Sequence, residues 1–381
     1  MSTEARWTWA RLARVAALTL CALAAVDLAV ARVERRDEAH LTDGELRNSP
    51  GIATADATRR MLFRAPAALR RRAVAVAGSS MSYGAGVPVG LSPVAFFARA
   101  LRSRGDRRPV FNFAQHGGAT RAAVPVVAAT ATRPVALLLV EFAPHNFAEG
   151  KPPYVVQLGD DEVPLVREAN AAQREVLQRE GYGLSFSRRL EADLASVAFD
   201  AWRVYRVRGR LWVDEEFQPM LAVWSARRAA ARVGLLPARF QGGTTNVQMV
   251  PWRRLFATRA PGAVHRLHLP SGRMSEDEYR LIALITRLAS ASAQRVVFFE
   301  SPFNLAFQRH FGLMDEQQVA WWTSIRAQML ARMRADGHEV IEAPEVPEDG
   351  YMDQVHLTPL GARVYGEHLA AALAPALERA P

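Results

Sequence analysis

Three serines stand within seven residues in GSSMSYG, residues 78 to 84, directly after the apolar run Ala73 to Ala77. Far down the chain, in DQVHLTPLG, Asp353 precedes His356 by three residues. These residue types suit one chemistry. A serine hydroxyl attacks a carbonyl carbon when a base takes its proton, and histidine serves as that base when a carboxylate fixes its tautomer. The oxyanion formed on the way needs donors aimed at it. The expected roles are therefore Ser80 as nucleophile, His356 as the base that later protonates the leaving group, and Asp353 as the carboxylate that orients His356. For the oxyanion, the candidates are the backbone N–H groups of Ser80 and Gly117 and the side-chain amide of Asn146.

Plainer readings compete with these roles. Serines and glycines after a strand often form only a turn, and Asp353 has a structural use as a cap for the turn before the last helix. What singles out Ser80 is the Asp-x-x-His stretch, which supplies the base that a serine lacks. Ser82 is read as a loop hydrogen-bonder and Ser79 as a backbone cap. His116, beside Gly117, is read as a rim or substrate contact, and Glu141, at the end of an apolar strand, as a paired structural carboxylate.

These groups work together only if the fold gathers them, and the apolar pattern predicts how. RAVAVAG (72–78) is a short continuous apolar run closed by glycine, the form of a buried parallel strand. PVFNFA and VALLLVEF (135–142) follow in the same style, with helices between them. Ser92 is a good N-cap for SPVAFFARAL, with Pro93 at its first position. RVVFFE and HEVIEA supply two later strands. A helix from Asp315 to about Asp336 stops at Gly337, and a last one opens at Thr358 and Pro359. Strands alternating with helices predict a parallel sheet covered on both faces. In such sheets ligands bind beyond the carboxyl ends of the strands. Ser80, Gly117 and Asn146 each follow a strand, as that rule requires. From 151 to 269 the rhythm fails. LVREANAAQREVLQRE and LAVWSARRAAARVGLL read as helices, and AWRVYRVRGRLWV as a strand pair or an amphipathic helix, so this stretch is read as a largely helical insertion.

With these motifs in order, the chain resembles the SGNH (GDSL-like) hydrolases. GSSMSYG is similar to their first block, NFAQHGGAT to the second with its oxyanion glycine, and DQVHLTPLG to the fifth, Asp-x-x-His. The resemblance covers about 72–147 and 290–378. It implies a three-layer α/β/α, flavodoxin-like fold and serine-dependent ester hydrolysis or acyl transfer with neither metal nor cofactor. Two positions depart from the pattern. Ser79 stands where Gly-Asp-Ser has its aspartate, and EFAPHNF replaces the third block Gly-x-Asn-Asp, which leaves Asn146 or His145 for the oxyanion. The expected organisation is a basic N-terminus (1–14), a transmembrane signal anchor (15–31), a juxtamembrane linker (32–70), and an SGNH-like domain (71–150 and 270–381) split by the insertion (151–269). An anchor ahead of such a domain, together with APHNF, further resembles the alginate O-acetylation and teichoic-acid D-alanylation proteins, which work beside membrane-bound O-acyltransferases.

Composition bounds these readings. At 381 residues and 50% hydrophobic, the chain can bury a large core, and its one cysteine, Cys21, excludes an internal disulfide and a cysteine-based metal site. The net charge of +10 comes from dispersed arginine and favours anionic partners. No zinc-finger spacing, helix-turn-helix pattern or RNA-binding signature accompanies it, so nucleic acid is not expected as a partner. RWTWARLAR followed by the apolar Val15 to Val30 reads as an uncleaved anchor, with Arg6, Arg11 and Arg14 inside and the rest of the chain outside the cell membrane. AVA at 29–31 offers the alternative of cleavage and a secreted esterase. Arginine interleaved with aromatics in WRVYRVRGRLW and VPWRRLF is read first as packing against its own domain, and second as contact with a membrane surface or an acidic polymer.

The reading is thus a membrane-anchored, extracytoplasmic serine esterase or O-acyltransferase for ester-linked acyl groups, acetyl foremost, on an envelope glycan or a similar small ester. The competing expectation is a non-catalytic scaffold of the same shape that binds glycan or a membrane-bound O-acyltransferase.

Overall fold

A computed structural model describes residues 3–39, 60–115, 120–150, 163–203, 251–255 and 269–378. In chain order these form α1 (Thr3–Ala39), α2 (Ala67–Arg71), β1 (Val74–Ala77), α3 (Ser80–Tyr83), α4 (Pro93–Ser103), β2 (Val110–Asn112), α5 (Ala123–Thr130) and β3 (Leu137–Phe142). There follow α6 (Val163–Arg167), α7 (Ala171–Arg179), α8 (Phe186–Ala201), α9 (Trp252–Leu255) and α10 (Glu276–Ser290). The chain then continues through β4 (Val296–Glu300), α11 (Leu305–His310), α12 (Glu316–Ala335), β5 (Val340–Ile341) and α13 (Pro359–Glu378).

The five strands pair in parallel in the order β2-β1-β3-β4-β5. Each apolar run expected to be a strand is one, and β1, β2 and β3 are wholly buried. Alternation along each strand divides its side chains between two cores. Ala75, Ala77, Leu138 and Val140 join one core with α5, α10 and α12. Val74, Val76, Leu137 and Leu139 join the other with α4 and α13. Helices thus cover both faces of a mixed α/β body, and this explains why the strands carry no polar face.

The helix ends follow their sequence signals. Ser92 Oγ accepts from Ala95 N–H at 3.2 Å ahead of Pro93, and Asp315 caps α12 through Gln318 N–H at 2.8 Å. Gly337 takes φ 78° beyond the end of α12. In the insertion, α6 and α7 lie in the region of LVREANAAQREVLQRE, expected to be helical, α8 and α9 are further helices, and the remainder of 151–269, including LAVWSARRAAARVGLL and most of AWRVYRVRGRLWV, lies outside the described residues. Leu165, Val166 and Leu177 join the first core, while Trp252 is fully buried in the second, where Arg253 lies over its ring at 4.6 Å and pairs with Glu348. The described part of VPWRRLF therefore packs against its own domain.

At the N-terminus, α1 is one continuous helix. Its stretch Trp9–Leu28, twenty residues that open at Trp9 rather than at Val15, is long and apolar enough to cross a membrane. Within the stretch 32–70 expected as a linker, the described parts are helix up to Ala39 and, from Leu62, core. Leu62 and Ala65 are buried in the first core, and Arg70 donates to Ala65 O at 2.8 Å.

The tightest helix contact is that of α4 with α13. A Cβ on Gly366 would stand 2.6 Å from Phe97 N and 2.7 Å from Pro93 O, both backbone atoms that cannot rotate away. Gly366→Ala should separate the two helices and destabilise the fold by about 1–3 kcal/mol, the usual cost of overpacking. A thermal melt of the variant checks this, and an unchanged midpoint would show that the contact yields.

Candidate active site

The turn that presents Ser80 is built by glycine, capping and one buried carboxylate. β1 ends at Ala77, and Gly78 follows where no side chain fits, because a Cβ there would lie 2.4 Å from Glu141 Oε2 and 2.9 Å from Glu141 Cβ. Ser79 is the N-cap of α3, and its hydroxyl accepts from Met81 N–H at 3.4 Å. Ser80 is the first residue of that turn, and Gly84 closes it at φ 77°. At the first position of a helix the N–H has no intrahelical acceptor, and the Ser80 N–H has none among the described residues. It is therefore available as an oxyanion donor.

Glu141, 1% exposed near the end of β3, holds the turn from below. Its carboxylate accepts the Ser79 N–H at 2.9 Å, the Ser82 hydroxyl at 2.5 Å and the Ser82 N–H at 3.4 Å, and also takes the Ser79 hydroxyl. Asn112, at the end of β2, donates to Ser82 O at 3.3 Å and accepts from Ala114 N–H at 3.1 Å. The turn is thus secured from both strands that flank β1. Of the three serines, Ser79 and Ser82 spend their hydroxyls on Glu141, and only Ser80 turns elsewhere.

It meets the acid–base turn that precedes α13. His356 Nε2 lies 2.9 Å from Ser80 Oγ, and His356 Nδ1 lies 2.7 Å from Asp353 Oδ2. Asp353 Oδ1 also accepts the N–H groups of Val355 at 2.9 Å and His356 at 2.8 Å, so the carboxylate folds its own turn and holds its partner. The two uses of Asp353 that the sequence left in competition coexist. In the neutral imidazole, an Nδ1–H donated to Asp353 leaves Nε2 as the acceptor facing Ser80. Asn304 fixes this turn from outside. Its N–H donates to Gln354 O at 2.9 Å and its amide to Asp353 O at 3.2 Å, while its Oδ1 caps α11 through Phe307 N–H at 3.0 Å. Asn304 escaped notice in the sequence, although its place just after β4 is the signal that found the other groups.

The electrostatics of the pair are reciprocal. Burial opposes the charge on His356, but the Asp353 carboxylate beside it, with a smaller contribution from Glu141, outweighs burial and raises the imidazole above its ordinary value of 6.5. Burial likewise opposes ionisation of Asp353, and His356 together with the two N–H groups outweighs it, holding the carboxyl below the usual range.

The remaining candidates are less closely joined. Asn146 lies in the 3₁₀ turn Pro144–Phe147 just beyond β3, the strand beside β1. Its side-chain amide makes no hydrogen bond among the described residues. His145 packs its ring on Phe303 at 5.4 Å, and Phe303 stacks on Trp322 at 5.3 Å, an aromatic row past the ends of β3 and β4 that the sequence did not reveal. Gly117 and His116 lie outside the described residues. Gln115, just before them, donates its N–H to Gly78 O at 3.0 Å. Among the described residues, no three His, Cys, Asp or Glu side chains gather as a metal site. No protein-family model matches the chain, and no curated protein does.

Two outcomes follow from this geometry. His356 accepts a proton only when neutral, so the rate at which a fluorophosphonate labels Ser80 should fall as pH drops through a value above 6.5, and Asp353→Asn should move that limb to lower pH while slowing labelling ~10³–10⁴-fold. A limb that stays put in the variant would dissociate Asp353 from His356. Glu141→Ala strands the Ser79 and Ser82 donors in a buried place. It should cost about 2–4 kcal/mol in urea unfolding and abolish labelling, although Ser80 and His356 are untouched.

Proposed function

We propose that the chain is a membrane-anchored, extracytoplasmic serine esterase or O-acyltransferase of the SGNH type, acting on ester-linked acyl groups, acetyl foremost, of an envelope glycan or similar substrate. The single observation that carries this reading is the hydrogen-bonded series Ser80–His356–Asp353, at 2.9 and 2.7 Å, at the carboxyl edge of the sheet. The strand order 2-1-3-4-5 is that of flavodoxin-like folds, and the SGNH reading calls for that arrangement. The apolar length of α1 supports a single-pass anchor, and the arginines at 6, 11 and 14 support the outward orientation.

The chemistry runs as a two-step transfer. Ser80 Oγ attacks the ester carbonyl carbon while its proton passes to His356 Nε2. The carbonyl oxygen becomes an oxyanion facing the Ser80 N–H, with Asn146 and Gly117 as its further donors. Collapse breaks the bond to the alcohol, which leaves with the proton from His356, and the acyl group stays on Ser80. Water or a sugar hydroxyl then gives its proton to His356 and attacks the acyl carbon, and Ser80 recovers its proton as the bond to it breaks. Throughout, the Asp353 carboxylate stabilises the imidazolium that forms twice in the cycle.

A scaffold without activity would not need an acid–base pair hydrogen-bonded to a serine whose neighbours are both otherwise engaged. The deciding experiment is turnover of p-nitrophenyl acetate by the purified chain together with fluorophosphonate labelling. Ser80→Ala should abolish both and leave the melting temperature within a few degrees. Labelling that survives in Ser80→Ala would overturn the nucleophile, and an intact, folded chain without turnover or labelling would favour the scaffold.

A further inference from the structure

α8 carries an apolar stripe that faces away from the body. Phe186, Leu190, Leu194 and Val197 are 75%, 49%, 64% and 65% exposed. At about 100° per residue their positions fall within an arc of roughly 80°. On the opposite side Ala192 is buried where α8 packs on α6, so the helix is seated by that face, while Asp193, at the edge of the stripe beside Phe186, pairs with Arg167 at 2.7 Å. Large apolar side chains aligned along one helix and left in water mark a surface that another apolar phase covers.

The far end of the helix says which phase. Trp202, 48% exposed, caps α8, and the next residue, Arg203, donates from Nη1 to Asp27 Oδ2 at 2.8 Å. Asp27 is the penultimate residue of the apolar stretch Trp9–Leu28. Twenty helical residues rise about 30 Å, one hydrocarbon thickness, so a charge at that end of the span sits at the bilayer edge. An arginine paired there, with a tryptophan beside it, is the composition favoured at the head-group level. Just beyond, Val30 and Ala31 of α1 are buried, so α1 is packed within a few residues of the span's end. Exposed Arg189, on the flank of the stripe near Phe186, has a stem long enough to reach head groups from an apolar seat.

We propose that α8 lies in the head-group and acyl boundary of the same membrane that α1 crosses, with Phe186, Leu190, Leu194 and Val197 in lipid. The occupant of the stripe is the bilayer surface. A single spanning helix leaves a body free to tilt, and a second contact tied to it by Arg203 and Asp27 fixes the height and the facing of the sheet's carboxyl edge. This inference rests on α1 being a membrane span, and the test separates the two.

The full-length chain with Cys21→Ser is reconstituted in vesicles of phosphatidylethanolamine and phosphatidylglycerol, with one cysteine placed at Leu190, Leu194 or, as the solvent-side control, Glu191. Each carries an environment-sensitive fluorophore, and the vesicles carry lipids with a quencher on the acyl chain. Alkaline carbonate extraction of the same vesicles reports whether α1 spans. The expected result is several-fold stronger quenching at 190 and 194 than at 191. A chain that resists carbonate but shows equal, weak quenching at all three positions overturns the docking of α8 and leaves the span standing. Blue-shifted emission at 190 and 194 without lipid quenching also overturns it, since protein, either another segment or a second copy, then covers the stripe. Release by carbonate with no quenching overturns both.

Discussion

The carboxylate of Glu141 is the constraint on which the site depends. It stands inside the protein near the end of a central strand, where an isolated charge is expensive, and it becomes tolerable because the turn after the neighbouring strand surrounds it with two N–H groups and two hydroxyls. The same bonds that satisfy Glu141 leave the turn one arrangement. Gly78 must lack a side chain for the carboxylate to approach, Ser79 and Ser82 must point down into it, and Ser80, between them, must point away. Which serine faces His356 is set by the needs of a buried acid beneath the turn.

The second half of the site comes from a distance. Ser80 and His356 are 276 residues apart, and a parallel sheet is what lets them meet, because every strand delivers its following turn to the same edge. The turn carrying His356 has no strand directly before it and is closed locally. Tyr351 and Leu357 pair across it, and Gly350 and Gly361 come so close that a Cβ on Gly361 would stand 2.0 Å from Gly350 O. Asn304 then couples this turn to the end of β4. Burial of strands drives the gathering, while small residues and a few directed hydrogen bonds give the gathered groups their spacing.

This division explains what the sequence made legible. The strands were readable because short apolar runs alternating with helical patterns point to a buried parallel sheet, and helix ends were readable at Ser92, Asp315 and Gly337 because capping is local chemistry. That Ser80, Asp353 and His356 come together was readable because a serine, a carboxylate and a histidine suit one chemistry. Glu141 was readable only as a carboxylate needing a partner. Which partner it takes depends on β1 and β3 being neighbours, which is a property of strand order. Asn304 and the row His145, Phe303, Trp322 were invisible for the same reason, since each is ordinary in its own segment and acquires a role from what lies across the edge. The stripe on α8 lies in a region read only as a largely helical insertion, and the proposal for it came from the pairing of Arg203 with Asp27, residues that no local pattern connects.

A serine at 79, in place of an aspartate, acquires a physical reason from Glu141. An aspartate at 79 would bring a second carboxylate against the first, in a site where one is 1% exposed, and two such charges at hydrogen-bond distance cannot both remain ionised without raising the pKa of one. A serine in that place donates instead of repelling, and it still accepts from Met81 N–H as the cap of the turn. Positions 79 and 141 therefore act as one unit: the negative charge that steadies the turn resides near the end of β3, and the loop residue above it is a neutral donor. Because Glu141 also contributes to raising the pKa of His356, a charge placed on the strand stays within range of that imidazole while Ser80 sits in a turn that bears no charge of its own.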